Sequence, residues 1–162
     1  MRTGDTAVSS DQGLQAQYAP HSTCFGCGPA NAKGLQINSR VDGDTVIADW
    51  QAEPHHEAFP GMVSGGIIGA LLDCHSNWTA AWHLMRSAGL DQPPCTVTAE
   101  FAVKLRRPTP TSEILHLAAT VAEATADRAV IHATLTAGGK VCATCIGTFG
   151  AVKEGHPAYH RW

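Results

Sequence analysis

Between residues 61 and 82 apolar side chains fall on nearly every face of a 3.6-residue period, whereas from residue 96 onward they occupy every second position. The first pattern, Gly61-Met-Val-Ser-Gly-Gly-Ile-Ile-Gly-Ala-Leu-Leu-Asp-Cys-His-Ser-Asn-Trp-Thr-Ala-Ala-Trp82, predicts one long helix opened at Ser64-Gly65-Gly66. The second predicts strands. In Thr96–Arg107 the odd positions Val97, Ala99, Phe101, Val103 and Leu105 are apolar and alternate with Thr98, Glu100, Lys104 and Arg106. Ile114–Val121, Arg128–Thr136 and Val141–Phe149 repeat the theme, joined by hairpin-length connections at residues 124–127 and at Gly138-Gly139. Ahead of the helix, Leu35–Val41 and Thr45–Trp50 read as short strands around the turn Asp42-Gly43-Asp44, followed by a loop over residues 54–60. The order is therefore two strands, one long helix and four strands. A helix apolar on nearly every face must be surrounded, so the antiparallel sheet of about six strands has to curl around it. A ferredoxin-like sandwich would need a second long helix.

Composition narrows this picture. The 162 residues suit one domain. Residues 1–20 and 154–162 carry no periodicity and read as tails, leaving residues 21–153 as the folded unit. Hydrophobic residues at 44% against 15% charged imply a surface partly covered by another subunit. A net charge of −3, with no cationic run longer than Arg106-Arg107, gives no footprint for nucleic acid. The N-terminus lacks a signal-like apolar segment, and Asp73 interrupts the longest apolar run, so neither secretion nor a membrane span is expected and the chain reads as cytoplasmic.

Candidate chemistry concentrates on the helix. Gly65 and Gly66 leave the first-turn amides open to a ligand, and those donors, aligned with the helix dipole, suit an oxyanion. Close packing of helix on sheet would use the same glycines. Asp73 has Gly69, Ala70, Ser76 and Asn77 as its helical neighbours, so no cation lies within one turn of it. A carboxylate so placed is either satisfied by nearby hydroxyls and amides or serves as a general base or nucleophile. At ~1.5 Å rise per residue Asp73 stands about 10–12 Å from the Gly65-Gly66 amides. The two features meet on one carbonyl only if they come from different subunits, which antiparallel helices at a two-fold interface allow.

Six cysteines in a reducing compartment read as free thiols or ligands. Cys24/Cys27 and Cys142/Cys145 have zinc-like spacing. However, residues three apart on a strand point to opposite faces, so the second pair does not share a metal and no metal is expected. Cys74 and His75 diverge by about 100° around the helix and read as packing or hydrogen-bonding groups. Trp78 and Trp82 share one stripe, core or interface.

Three segments together resemble the acyl-CoA thioesterase branch of the hotdog superfamily, similar to phenylacetyl-CoA thioesterases, over roughly residues 23–151. They are Cys-Phe-Gly-Cys-Gly-Pro-Ala-Asn-Ala-Lys-Gly-Leu (24–35), the run from His56 through Pro-Gly-Met-Val-Ser-Gly-Gly to Leu-Leu-Asp73, and Thr-Ala-Glu-Phe-Ala-Val-Lys-Leu-Arg-Arg-Pro-Thr-Pro (98–110). The resemblance implies a hotdog fold, in which an antiparallel sheet wraps one helix and copies pair as a homodimer or a dimer of dimers. It implies an acyl-CoA substrate, with coenzyme A as part of that substrate and no separate cofactor. Asp73 then takes the catalytic position, activating water or attacking the thioester. Gly65 and Gly66 fall on the oxyanion side, Thr98 on a hydroxyl that orients water, and His56 near the thioester. Ser64 replaces the His of the His-Gly-Gly found in many relatives, which keeps a non-catalytic acyl-CoA-binding protein as the alternative. Cys24 and Cys27 take a structural position.

Lys104, Arg106 and Arg107 end a strand that Pro108 and Pro110 stop, and suit the phosphates of coenzyme A, or simply a solvated strand end. Arg106, on the alternation face of Thr98, is the first choice. A hotdog hydratase ranks lower: its Asp-x-x-x-x-His motif would require His where Trp78 stands.

Overall fold

The computed structural model describes residues 12–162. A short helix α1 (Leu14–Tyr18) leads to strands β1 (Arg40–Asp42) and β2 (Thr45–Gln51), a 3-10 turn (Pro54–His56) and a two-strand ribbon of β3 (Glu57–Phe59) and β4 (Met62–Val63). The long helix α2 (Gly65–Ser87) follows, then β5 (Thr96–Leu105), β6 (Ile114–Ala124), β7 (Arg128–Ala137) and β8 (Lys140–Ala151). Six strands form one antiparallel sheet in the order β1-β2-β6-β7-β8-β5, and α2 lies against β5 to β8. The chain therefore has the hotdog architecture anticipated above, with α2 running five residues beyond Trp82 before Gly89, at φ 64°, turns it away. The small β3–β4 ribbon sits where the sequence read only a loop.

The core is the contact between α2 and the concave face of the sheet. Leu71, Leu72 and Trp78 of α2 are buried against Leu115 and Leu117 of β6, Ile131 and Leu135 of β7, and Phe149 of β8. Gly147 makes room for Phe149: a Cβ there would lie 2.7 Å from two atoms of the ring. Gly147→Ala should therefore lower stability by about 1–3 kcal/mol through overpacking. Urea denaturation reads this as a lower midpoint, and an unchanged midpoint would contradict it.

Both segments read as tails contain ordered, docked structure; residues 1–11 lie outside the described residues. Leu14 and Gln15 of α1 are buried, and a directed chain of hydrogen bonds runs inward from Gln15. Its Nε2 donates to Ser39 Oγ (2.9 Å), Ser39 Oγ lies 2.8 Å from His75 Nδ1, and His75 Nε2 lies 2.9 Å from Val46 O. Because a carbonyl only accepts, His75 carries its proton on Nε2 and accepts from Ser39. Burial, partly offset by the Val46 carbonyl, pulls His75 down to about 4, so it sits neutral in the core. At the other end Trp162 packs on Trp78 with ring centroids 4.6 Å apart, and Arg161 Nη1 donates to Thr96 O at 2.9 Å. Neither docking has a local signature, because each joins residues distant along the chain.

Candidate active site

Along one stripe of α2, positions 65, 69 and 73 recur every four residues and face β5 in reverse order. A Cβ on Gly65 would touch Leu105 Cδ1 at 3.0 Å and one on Gly69 would touch Phe101 Cε2 at 4.0 Å. Asp73 Oδ1 accepts a 2.7 Å hydrogen bond from Thr98 Oγ1. The two glycines thus seat strand side chains directly on the helix, and the carboxylate meets a hydroxyl at the end of the same row.

Thr98 reaches Asp73 by a route opposite to the one the alternation suggested. The register of β5 on β8 slips between Thr98, opposite Phe149, and Glu100, opposite Thr148. This bulge reverses the inward phase, so that even positions 96 and 98 and then odd positions 101, 103 and 105 turn toward α2. The sheet partners of these residues are Ala151, Phe149, Gly147, Cys145 and Ala143, the row of β8 that includes the buried Phe149. Thr98 is therefore on the helix side, and the expectation that Arg106 shares its face is corrected. Arg106 Nε instead donates to Thr144 Oγ1 (3.1 Å). The bulge leaves no mark in the alternation of residues 97–101, which is why the pattern misled.

Asp73 is half-buried. Burial raises its pKa above the ordinary carboxylate range; the Thr98 hydrogen bond opposes this, the neighbouring Cys24 adds to it, and Arg161 from the C-terminal segment opposes it. The cation that the helical neighbourhood lacked thus arrives from eighty-eight residues downstream. Cys145 on β8 feels burial first and the Asp73 charge second, and is raised to about 11.

The remaining candidates separate into two places. Ser64 is the N-cap of α2 with no side-chain cap hydrogen bond, leaving its hydroxyl uncommitted to the helix. Gly65, Arg106 and Arg107 border a cleft of about 350 Å³ together with Phe59, Met62 and Leu105. Asp73 does not line it, and at ~1.5 Å per residue lies about 12 Å along the helix from Gly65. Lys104 lines a hollow on the outer face of the sheet beside His132 and Thr144, which Arg106 borders as well. His56 is buried, accepts from the Glu53 amide (2.9 Å) and stacks on Trp50 with centroids 4.9 Å apart, while its carbonyl accepts from Ser64 N (2.8 Å). Its side chain is a turn component on Trp50, and its pKa is lowered by burial and by His55.

Sequence reasoning missed a thiol cluster beside Asp73. Cys24, Cys27 and Cys74 bring their sulfurs within 4.8 Å of one another. Cys142 and Cys145 are not among them, in line with the spacing argument. Bonds from the Cys27 and Cys74 thiols, with the amides of Cys27 and Gly26, hold Cys24 far below the ordinary thiol range despite its burial. Its bond to Cys24 pushes Cys27 up to about 12, and Cys74 is raised for the same reason.

No protein-family profile matches the chain, and no curated protein does. Among solved structures, a thioesterase superfamily protein from Shewanella loihica PV-4 is 27% identical, with a TM-score of 0.63 over 77% of this chain and 98% of that one. A phenylacetic acid degradation-related protein from Ralstonia eutropha JMP134 is 23% identical, with a TM-score of 0.63 over 78% and 92%. The Escherichia coli PaaI protein from the phenylacetic acid degradation operon is 17% identical, with a TM-score of 0.62 over 76% and 85%. At those lower identities the likeness is one of fold. Among the described residues no helix is long and apolar enough to cross a membrane. The chain has the hotdog fold, and the solved structures it resembles include thioesterase superfamily proteins.

Proposed function

We propose that the protein hydrolyses an acyl-CoA thioester, with Asp73 activating water, or attacking the thioester directly, in a site completed by a second copy of the chain. The observation that carries this reading is the Asp73–Thr98 pair: a half-buried carboxylate held by one hydroxyl on the helix stripe that faces β5. Burial raises its basicity, and Thr98 fixes the oxygen it bonds while leaving the other unclaimed by that bond. The Gly65-Gly66 amides, unpaired at the start of α2, suit the oxyanion of the tetrahedral intermediate.

One chain keeps these two groups about 12 Å apart along the helix. The ten-residue strand β5 is an edge of the sheet, with Phe101 and Leu105 large and exposed, as befits a face that meets a second copy. In a two-fold pair the cleft at the start of one α2 would approach Asp73 of the other. Arg106 and Arg107 at the rim of that cleft suit the coenzyme A phosphates. Lys104, on the outer face, is left without that role.

Thr98→Val removes the hydroxyl at nearly constant volume and should lower turnover by roughly 10–100-fold, the kinetic equivalent of a hydrogen bond to a charged group. Thr98→Ser should recover most of it, and equal rates for Val and Ser would remove the hydroxyl from the mechanism. The proposed activity is tested by free-thiol release from a panel of acyl-CoA esters. Release with saturation supports it, whereas saturable binding without release supports an acyl-CoA-binding protein instead.

A further inference from the structure

The Cys24-Phe-Gly-Cys27-Gly28 turn is built onto α2 at the turn that follows Asp73. A Cβ at position 26 would lie 2.3 Å from Cys74 Sγ, and one at position 28 would lie 2.4 Å from the Cys24 backbone nitrogen. Only glycine at both places lets the loop close on itself and rest on the Cys74 sulfur. Three sulfurs from two separate elements, that of Cys27 buried and those of Cys24 and Cys74 half-buried, thereby stand within 4.8 Å of one another. Thiols gathered this closely form a ligand set for one metal ion.

The spacing fits zinc. Four ligands at the Zn–S distance of about 2.3 Å have sulfurs about 3.8 Å apart along a tetrahedral edge. Cys24 and Cys74, fifty residues apart in sequence, place their sulfurs 3.8 Å apart. Thiolate sets select zinc over the hard cations.

We propose that Cys24, Cys27 and Cys74 form a zinc site, with three thiolates from the CxxC turn and α2 and an exchangeable fourth position. Zinc binding displaces the thiol protons to solvent and forms three Zn–S bonds, with no change in oxidation state. The site departs from the expectation that no metal is held. That expectation tested Cys24 and Cys27 against the strand pair Cys142/Cys145, whereas the third sulfur comes from the helix. The ion would pin residues 24–28 to α2, and the inference does not rest on hydrolysis.

The test uses the full-length chain, purified anaerobically with reductant, stripped with a chelator and titrated with Co²⁺ and then Zn²⁺. The expected result is thiolate-to-cobalt absorption in the near ultraviolet that saturates at one equivalent per chain and is bleached by Zn²⁺. Cys74→Ser and Cys24→Ser should each weaken binding tenfold or more. Cys142→Ser should leave the titration unchanged. Absence of the absorption would overturn the proposal, as would saturation unaffected by Cys74→Ser, or recovery of Cys24 in a disulfide under the same conditions. If Cys74→Ser fails to fold, the wild-type and Cys24→Ser titrations still decide it.

Discussion

Asp73→Asn should lower turnover by roughly 10²–10⁴-fold while leaving the fold intact, the range expected for loss of a positioned general base. Asn has the shape of Asp and a carbonyl oxygen in the place of Oδ1, so the Thr98 hydroxyl still finds an acceptor. What disappears is the ability to take a proton or form an acyl adduct. The variant also removes a charge from a half-buried position, so no stability should be lost with the activity. Steady-state thiol release, measured beside a denaturation curve, separates the two effects. A wild-type rate would take Asp73 out of the mechanism, and a collapsed denaturation midpoint would make it a structural residue.

The largest effect on stability is expected from Phe149→Ala, at about 3–5 kcal/mol. Phe149 is fully buried, lies between Thr98 and Ala129 in the sheet and overhangs Gly147. Gly147 offers no side chain to collapse into the space, so the cavity would stay open and the full penalty would be felt. Such a loss is a large part of the stability of a domain this size. The urea midpoint should fall with its slope unchanged, and a shift below about 1 kcal/mol would show that the ring is dispensable. Because Phe149 faces Thr98 across the ladder, the variant should also lose activity at temperatures where it remains folded.

The helix and the four strands after it were legible because their apolar periods, 3.6 and 2, are properties of contiguous residues. Asp73 was legible as an anomaly in the first of those periods, and Gly65-Gly66 as a helix start. The face on which Thr98 lies was not, because the bulge after Thr98 is a matter of register against β8, and the alternation of residues 97–101 continues through it undisturbed. The 65–69–73 stripe could have been read from helical spacing, and with it the prediction that Gly69 seats a strand side chain. Arg161, Trp162 and Cys74 were out of reach, since each acts on a partner fifty or more residues away and no local pattern encodes the meeting. Within the basic segment 104–107, Lys104 and Arg106 share the outward phase of β5, and Arg106, just past the strand's end at Leu105, borders the cleft as well as the outer hollow.

A site shared between subunits is tested by mixing two variants that are inactive for different reasons. Asp73→Asn removes the carboxylate. Gly66→Pro removes a first-turn amide at a helix position where proline is tolerated. If each site takes its carboxylate from one subunit and its amides from the other, a heterodimer of the two variants holds one intact site and one doubly damaged site. Random reassortment of equal amounts should then restore about a quarter of the wild-type thiol release. Activity no greater than the sum of the two separate variants would contradict a site shared between subunits.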